Sequence, residues 1–362
     1  MYPETTKPAD PSPRRRAHAA TISDADMRKY GRHLLTPLSE VTALEGRMKG
    51  PDMSRTARER LTPALKALLQ APAGWRHQVR VRQRFVPELA VLRTHFPQCA
   101  AVIDHVEAMA HLACRGDRVV RLPPLLLVGP PGVGKTYFAQ RLAATLHLPY
   151  EEVHMESATA AWILSGMDST WNESKPGRIF ETLVHGRFAN PLILLDEIDK
   201  VGSGNRYDPM GSLYGLLEPH TASRFRDEYA CIPTDASRIN WVLTANELDT
   251  VPLPIRDRTQ VFQIPEPTFA QRMAIAEVIY QKLLASESWG GGFDPVLEQT
   301  TLVSLAEAAA SPRDLRQILT LACARAAARG TSTLLACDVE ATNARVLPSG
   351  IDLRSAVPMG NA

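Results

Sequence analysis

A glycine-rich stretch is the first feature of this sequence whose residue types and spacing could do chemistry. It consists of Gly129, Pro130, Pro131, Gly132, Val133, Gly134, Lys135 and Thr136. The glycines let successive backbone N–H groups turn towards phosphate oxygens, and a helix that follows adds the partial positive charge of its N-terminus. Lys135 can reach the β- and γ-phosphates of ATP, and the Thr136 hydroxyl can ligate Mg²⁺. The stretch therefore predicts a phosphate-binding loop.

Two adjacent carboxylates after an apolar run predict the hydrolytic half of the same site. Leu192–Leu195 is entirely apolar, and Asp196 and Glu197 follow it directly. Ligands of open α/β sheets bind at the carboxyl ends of the strands, where these two side chains are expected. Asp196 is expected to hold Mg²⁺ through water, and Glu197 is expected to orient and polarise the attacking water. Without the phosphate-binding loop, two solvated surface acids would explain the same dipeptide.

Further polar side chains follow the next apolar segment. Asn246 comes directly after Trp241–Ala245, so its amide is expected to contact the γ-phosphate or the attacking water. Arg256 and Arg258 flank Asp257, and either guanidinium could stabilise transition-state charge at the nucleotide of a neighbouring subunit. A surface ion pair bridged by Asp257 is the alternative. These residues alone leave the choice between the two arginines open.

Alternating strand and helix patterns position these motifs. The strand candidates are Leu125–Val128, Glu152–Met155, Leu192–Leu195, Ile239–Thr244 and Val261–Ile264, with helical segments between them. This alternation predicts an α/β fold, in which a parallel sheet carries helices on both faces. Beyond Pro267 the helical segments are Phe269–Ala285, Val296–Ala309, Pro312–Arg329 and Cys337–Arg345. We therefore expect a small all-α domain after the sheet.

The start of the chain has a different character. Residues 1–60 combine several early prolines with an excess of Lys and Arg over Asp and Glu, so we expect a disordered tail. The basic excess is either a tether for an anionic partner or a solvated surface. Thr62 and Pro63 predict the N-cap and first residue of a helix. A longer helical segment opens at Pro87, and Pro97 can divide it in two.

Bulk composition narrows the class of protein. The 362 residues carry a formal net charge of +2, and 44% of them are hydrophobic, so composition gives no nucleic-acid or membrane signal. No apolar run approaches the ~18 residues that a membrane span needs. The 5 cysteines are scattered and form no CxxC pair, which argues against a zinc site or a disulfide framework and favours a reducing, cytoplasmic location.

Taken together, the motifs resemble the ATPase module of Lon proteases, a group of AAA+ ATPases. The blocks that carry the resemblance are Gly129–Thr136, Pro176–Arg178, Asn190–Lys200, Asp208-Pro209, Leu216–Pro219, Phe225–Asp227 and Pro254–Arg258, in this order. The resemblance covers roughly residues 89–347. The resemblance implies a P-loop AAA+ sheet with flanking helices and a small all-α lid, with ATP and Mg²⁺ as cofactors. It also implies a homo-oligomer that forms a hexameric ring.

The expected organisation follows from the patterns and the resemblance. It consists of a tail over residues 1–60, a helical N-terminal region over 61–118, the AAA+ α/β nucleotide-binding domain over 119–265, the α-helical lid domain over 266–347, and a C-terminal tail over 348–362.

The resemblance also implies roles for single residues. Asn246 matches sensor 1, and Arg258 stands in the Asp-Arg pair that carries the arginine finger in Lon, so it is preferred over Arg256. Arg313 matches the sensor-2 arginine of the lid. Trp171 falls where Lon has an aromatic residue that faces the ring pore, although Asn172-Glu173 departs from the aliphatic-Gly that follows there. A tryptophan packed in the core is the alternative.

The expected function is remodelling, unfolding or disassembly of protein substrates through a ring pore. Lon proteases continue into a domain with a Ser–Lys dyad, whereas no lysine follows Arg345 here, so we expect no intrinsic peptidase. A separate effector or peptidase partner stays open, and no membrane partner is expected. The alternatives are a nucleotide-dependent switch that recruits partners and a nucleic-acid motor or loader. The mixed charges of residues 165–175 argue against nucleic acid.

Overall fold

The computed structural model describes residues 24–70, 72–155, 162–167, 174–200, 210–309 and 311–343. The helices are α1 (Asp24–Lys29), α2 (Leu38–Lys49), α3 (Arg55–Leu69), α4 (Phe85–His95), α5 (Ala100–Cys114), α6 (Lys135–Thr145), α7 (Trp162–Ser165), α8 (Arg178–His185), α9 (Gly211–Leu216), α10 (Pro219–Ala222), α11 (Leu253–Arg256), α12 (Phe269–Ser286), α13 (Gln299–Ala308), α14 (Pro312–Ala328) and α15 (Ala336–Asn343). Within these ranges, no helix has both the length and the apolar character needed to cross a bilayer.

The strands fall into one central sheet and two small antiparallel pairs. They are β1 (Arg32–Leu34), β2 (Trp75–His77), β3 (Leu125–Val128), β4 (Tyr150–His154), β5 (Leu192–Asp196), β6 (Phe225–Arg226), β7 (Pro233–Thr234), β8 (Asn240–Ala245) and β9 (Gln260–Gln263). The central sheet has the order β4-β5-β8-β3-β9, and all its pairs are parallel. The predicted α/β fold is confirmed, and each of the five predicted strands corresponds to a strand of this sheet.

Buried side chains cover both faces of the sheet. Along β3, Leu126 and Val128 pack into one apolar cluster, whereas Leu125 and Leu127 pack into a second cluster. This alternation follows from the period of two in a strand. A third cluster joins α12 to α15 into the helical region that follows the sheet.

The N-terminal region differs from the expected tail. Among residues 24–60, Val41, Leu44 and Met48 are buried at helical spacing in α2 and join the same apolar cluster as sheet residues such as Ile193. This apolar stripe is short and lies among prolines and charges that are typical of a disordered segment, so the sequence pattern did not predict its packing. Residues 1–23 lie outside the described part of the chain.

Helices α3 and α4 both begin earlier than the sequence pattern predicts, and α4 begins at Phe85 rather than at Pro87. Helix α3 begins at Arg55, because the Ser54 hydroxyl accepts a hydrogen bond from the Ala57 N–H at 3.1 Å. Pro63 therefore lies inside the helix, and the predicted start at Thr62 was wrong. Pro97 does divide the next helical segment, as α4 ends before it and α5 starts beyond it.

Candidate functional site

The glycine-rich loop joins β3 to α6 at the carboxyl end of the sheet. Gly132 and Gly134 have φ values of +85° and +93°, a backbone region that side-chain-bearing L-residues rarely adopt. Gly134 directly precedes α6, so the turn delivers the N-terminus of that helix to the loop. This is the local geometry that a phosphate-binding loop requires.

Lys135 is buried at the base of the loop, and its ammonium makes three hydrogen bonds. Its Nζ donates to the carbonyl oxygens of Gly129 and Pro130 at 2.6 and 3.0 Å and to Asn246 Oδ1 at 3.0 Å. Burial lowers the pKa of Lys135, and nearby carboxylates, with Asp199 foremost, oppose that shift. These three acceptors fix the position of the ammonium. When a nucleotide binds, its phosphate oxygens are expected to replace some of the three.

Asp196 receives two hydroxyl hydrogen bonds on one oxygen. Thr136 Oγ1 and Thr244 Oγ1 donate to Asp196 Oδ1 at 2.9 and 2.6 Å. Strands β5 and β8 are neighbours in the sheet, which brings Thr244 to the end of β5. No motif in the sequence singles out Thr244, although its position two residues before Asn246 places it on the same strand end.

Glu197 has a strained backbone that two contacts hold in place. Its φ is +56°, a conformation that is costly for a residue with a Cβ atom. The Glu197 N–H donates to Thr244 Oγ1 at 2.9 Å, and Lys200 Nζ donates to Glu197 Oε2 at 2.8 Å. The strain and its supports fix the direction of the carboxylate beside the loop.

Oxygen atoms suited to a divalent cation meet beside Asp196. The Thr136 hydroxyl and the Asp196 carboxylate are the hard oxygen ligands that Mg²⁺ prefers, and they lie in hydrogen-bond contact. The β4–β5 register also places His154 opposite Asp196. Ligand atoms of Glu152, His154 and Asp196 lie within 4.8 Å of one another. The sequence did not predict that Glu152 and His154 approach the site.

Side chains of the helical region close the other side of the site. A cavity of about 520 Å³ lies between the loop and the helices α12 and α14. Arg313, in the first turn of α14, lines this cavity together with Arg316 and Lys282. Lys282 Nζ donates to Tyr137 Oη at 3.2 Å and lies 5.1 Å from the centre of that ring. Arg316 and Lys282 were missed by the sequence reasoning.

The two candidate finger arginines have different partners, and Asp257 bridges neither of them. Arg258 pairs with Glu218 Oε1 through two nitrogens at 2.7 and 2.6 Å. Arg256 donates to the carbonyl oxygens of Val251 and Asp249 at 2.7 and 2.8 Å. Neither side chain lines the 520 Å³ cavity. The structure therefore brings together the predicted residues of the loop, β5, β8 and α14. Arg256 and Arg258 lie outside this group.

A buried carboxylate fixes the base of the segment that contains Trp171. Asp227 Oδ2 accepts from the Gly177 N–H at 2.7 Å, and Oδ1 accepts from the Tyr229 and Ala230 N–H groups at 3.0 and 2.8 Å. Burial raises the pKa of Asp227 to about 6, against these three hydrogen bonds. Trp171 itself lies outside the described residues. The role of Asp227 was not deduced from its place in the Phe225–Asp227 block.

Comparisons with known proteins agree with this geometry. The family model "ATPase family associated with various cellular activities (AAA)" matches residues 125–266. The mitochondrial Lon protease homolog of Aspergillus fumigatus is 40% identical over 153 residues, which are 42% of this chain and 14% of that protein. The Lon protease of Phenylobacterium zucineum is 36% identical over 176 residues, which are 49% of this chain and 22% of that protein.

A weaker similarity exists among solved structures. The structure of a RuvB mutant from Thermotoga maritima has a TM-score of 0.46 and 15% identity, and the match covers 67% of this chain and 68% of that one. At this level the similarity says nothing about what this chain does.

The segment that resembles Lon is short, but it contains the predicted site residues of the loop, β5 and β8. This chain spans less than a quarter of the length of the two Lon relatives, so their complete activities do not transfer with the match. The residues matched by the family model include the glycine-rich loop, Asp196, Glu197 and Asn246. The cytoplasmic location stays a prediction, since one of these relatives is mitochondrial. Residues 125–266 match the AAA ATPase family, and this part of the chain is similar to the ATPase module of Lon proteases.

Proposed function

We propose that the chain assembles into a ring, a hexamer by analogy with Lon, and uses ATP hydrolysis to remodel, unfold or disassemble protein substrates. The position of Arg258 carries this proposal. Its guanidinium is tied to Glu218 and to the Pro254 carbonyl, and it does not line the cavity of its own chain. An arginine that stabilises transition-state charge must reach the γ-phosphate, so Arg258 acts on the nucleotide of a neighbouring copy.

Within one subunit, the side chains divide the work of hydrolysis. Lys135 binds the β- and γ-phosphates, and Asn246, released from Lys135, contacts the γ-phosphate or the water. Glu197 orients and polarises that water. Its fixed backbone and the hydrogen bond from its N–H to Thr244 Oγ1 favour this role. Thr136 and Asp196 would hold Mg²⁺, which neutralises phosphate charge when bound. Arg313 reports nucleotide occupancy to the helical lid.

The substrate-facing element of the proposal is the segment around Trp171. Its two ends are held together, since the Met167 N–H donates to the Lys175 carbonyl at 3.2 Å. The absence of a Cβ on Gly177 lets that residue pack against the backbone of Leu164 and Gly166. Such a base suits a loop that presents an aromatic side chain to an extended polypeptide. The contact of Trp171 with substrate stays a prediction.

Mixing two inactive variants tests the action of Arg258 in trans. Arg258→Ala keeps Glu197 and loses the finger, whereas Glu197→Gln keeps the finger and loses its own hydrolysis. In mixed rings, an Arg258→Ala subunit receives Arg258 from a Glu197→Gln neighbour, so we expect the mixture to hydrolyse ATP faster than either variant alone. Arg256→Ala serves as the matched arginine control and should retain activity by itself.

The mixture can also contradict the proposal. ATPase activity no higher than the mean of the two variants would exclude completion of the site by a neighbour. If Arg256→Ala, rather than Arg258→Ala, needs rescue, the finger has been assigned to the wrong arginine.

Stimulation of the ATPase tests the substrate class. We expect the rate per subunit to rise with protein concentration and to rise further with an unfolded polypeptide. Stimulation by duplex DNA instead would favour the nucleic-acid motor. A slow rate that responds to neither addition nor concentration would favour the nucleotide-dependent switch. Added peptidase candidates that change the rate would identify a separate partner.

A further inference from the structure

A second cavity, here called the basic pocket, lies where β2 meets the end of α8. Its volume is about 240 Å³. The basic side chains that line it are Arg32, Arg76, His77, His185 and Arg187, and its described lining contains no Asp or Glu. The described residues of this half-enclosed cavity therefore offer basic groups without acidic groups to balance them.

Backbone hydrogen bonds fix the positions of three of these basic residues. The β1–β2 register places Arg32 directly opposite His77. The His77 N–H donates to the Arg187 carbonyl at 3.1 Å, and the Ala189 N–H donates to the His77 carbonyl at 2.7 Å. The turn after α8 therefore runs along β2. Arg32, His77 and Arg187 lie side by side because the sheet edge holds them there.

Arg76 is the buried member of the pocket, with 7% of its surface exposed. Its guanidinium donates to the carbonyl oxygens of Trp75, Ala67 and Val184 at 2.9, 3.2 and 2.6 Å. Two of these carbonyls belong to the last turns of α3 and α8. Arg76 Nε is buried and has no hydrogen-bond partner among the described residues. A guanidinium stays protonated in proteins, so this site holds a buried charge without a described carboxylate.

The electrostatic surroundings of His77 agree with this arrangement. Burial lowers the pKa of His77, and the charges of Arg32 and Arg187 lower it further. Burial alone lowers the pKa of Arg76. The charges of Arg32 and Arg187 thus disfavour protonation of His77, and an anion beside these two arginines would offset their charge.

We propose that the basic pocket binds a small phosphorylated anion. Guanidinium groups match phosphate oxygens in pairs of parallel hydrogen bonds, and Arg32 and Arg187 can supply such pairs beside Arg76. The volume is below the ~300–1,000 Å³ of typical cofactor and drug-sized sites, so the ligand is a compact phosphate or pyrophosphate species or the phosphorylated end of a small molecule.

The basic pocket is separate from the nucleotide cavity. Residues 186–191 lead into the amino end of β5, whereas Asp196 stands at the carboxyl end of that strand. The side chains that line the two cavities do not overlap. Anion binding at the basic pocket therefore does not depend on whether the chain remodels proteins.

Binding of inorganic pyrophosphate tests the proposal directly. Calorimetric titration of the full chain, with the nucleotide cavity saturated with ADP and the ionic strength held constant, should show one site per chain. Arg32→Gln and Arg187→Gln should each weaken binding by about tenfold or more, because each removes a charge-assisted hydrogen bond. Arg55→Gln is the matched control, since Arg55 is exposed and pairs with Glu59 on its own helix.

Thermal stability supplies a second readout, since the variants that bind pyrophosphate less tightly should not be less stable without it. Without pyrophosphate, Arg32→Gln and Arg187→Gln should melt at or above the wild-type temperature, because each removes a positive charge from a described lining that contains no carboxylate. With pyrophosphate, the wild type should gain more than either variant. Equal pyrophosphate affinity in the wild type and both pocket variants, or no binding to the wild type, would overturn the proposal. Arg76 is left unchanged because its three carbonyl bonds support the fold.

Discussion

The two ends of the central sheet carry cavities with opposite electrostatic designs. At the carboxyl end, charged groups have internal partners, such as Lys135 with Asn246 and Glu197 with Lys200. At the amino end, the described lining of the basic pocket offers cations and no carboxylate. Both cavities suit phosphate, but the first holds acids that can share a metal ion with it. In the basic pocket, only a bound anion would balance the charge of the basic side chains.

This difference separates two ways in which a protein can keep buried charge. A charge with an internal partner is stable without ligand, and binding must then exchange one set of contacts for another. A charge without such a partner makes the free protein less stable and ties its stability to ligand concentration. We therefore expect substitutions at the carboxyl end to change chemistry, and substitutions in the basic pocket to change affinity and melting temperature.

Glu197→Gln should have the largest effect, and this effect should be confined to hydrolysis at the carboxyl end of the sheet. The amide cannot accept the proton of the attacking water, so kcat should fall by about 10²–10⁴ while ADP still binds. Steady-state hydrolysis and nucleotide titration measure the two effects, with Glu277→Gln, at an exposed position of α12, as a control. Affinity for pyrophosphate at the basic pocket should not change. Undiminished turnover would remove Glu197 from its proposed role.

Thr244→Val should have a smaller effect on the same chemistry. The change keeps the volume but removes the hydroxyl that donates to Asp196 and accepts from the Glu197 N–H. Small displacements of catalytic groups can cost about 10²-fold, so we expect kcat to fall by about tenfold to a hundredfold. Thr234→Val is the matched control, because Thr234 is also buried and its hydroxyl donates to the Ile232 carbonyl at 3.4 Å, a long hydrogen bond. Equal activity in both variants would contradict this support role.

The carboxyl end of the sheet was largely predictable because its signals are local. The run Leu192–Leu195 and the carboxylates that follow it determine both a buried strand and its end. The glycine-rich loop likewise requires its strand and helix. What could not be predicted was the lateral order of the strands, which alone brings Thr244 beside Asp196 and His154 opposite it.

The basic pocket could not be predicted, since its cations come from distant parts of the chain. Arg32 lies in a segment whose prolines and charges resemble a tail, and Arg187 lies in a turn after α8. Each is an ordinary surface arginine by its local pattern. Only the pairing of β1 with β2, and of β2 with the turn, brings them together. The fold of residues 24–60 was missed for a related reason, as its apolar stripe is short and its packing partners are distant in sequence.

Asp227→Asn should have the smallest effect on chemistry and a measurable effect on stability. The carboxylate accepts three backbone N–H groups, and an amide can accept on one side only. We expect the variant to lose about 1–3 kcal/mol of unfolding free energy at pH 7. Basal ATPase activity should persist, because Asp227 does not line the nucleotide cavity.

The pH dependence of that loss has a defined sign. The pKa of Asp227 is raised to about 6 by burial, so the folded state holds this proton more tightly than the unfolded state. Its contribution to stability is complete below the unfolded pKa and is lost as pH rises through about 6. The stability deficit of Asp227→Asn should therefore grow as pH falls from about 6 to about 4. Asp52→Asn, at an exposed position, should show no such trend in parallel denaturation curves. A deficit that shrinks over this range would mean that the three N–H groups, rather than burial, control the charge of Asp227.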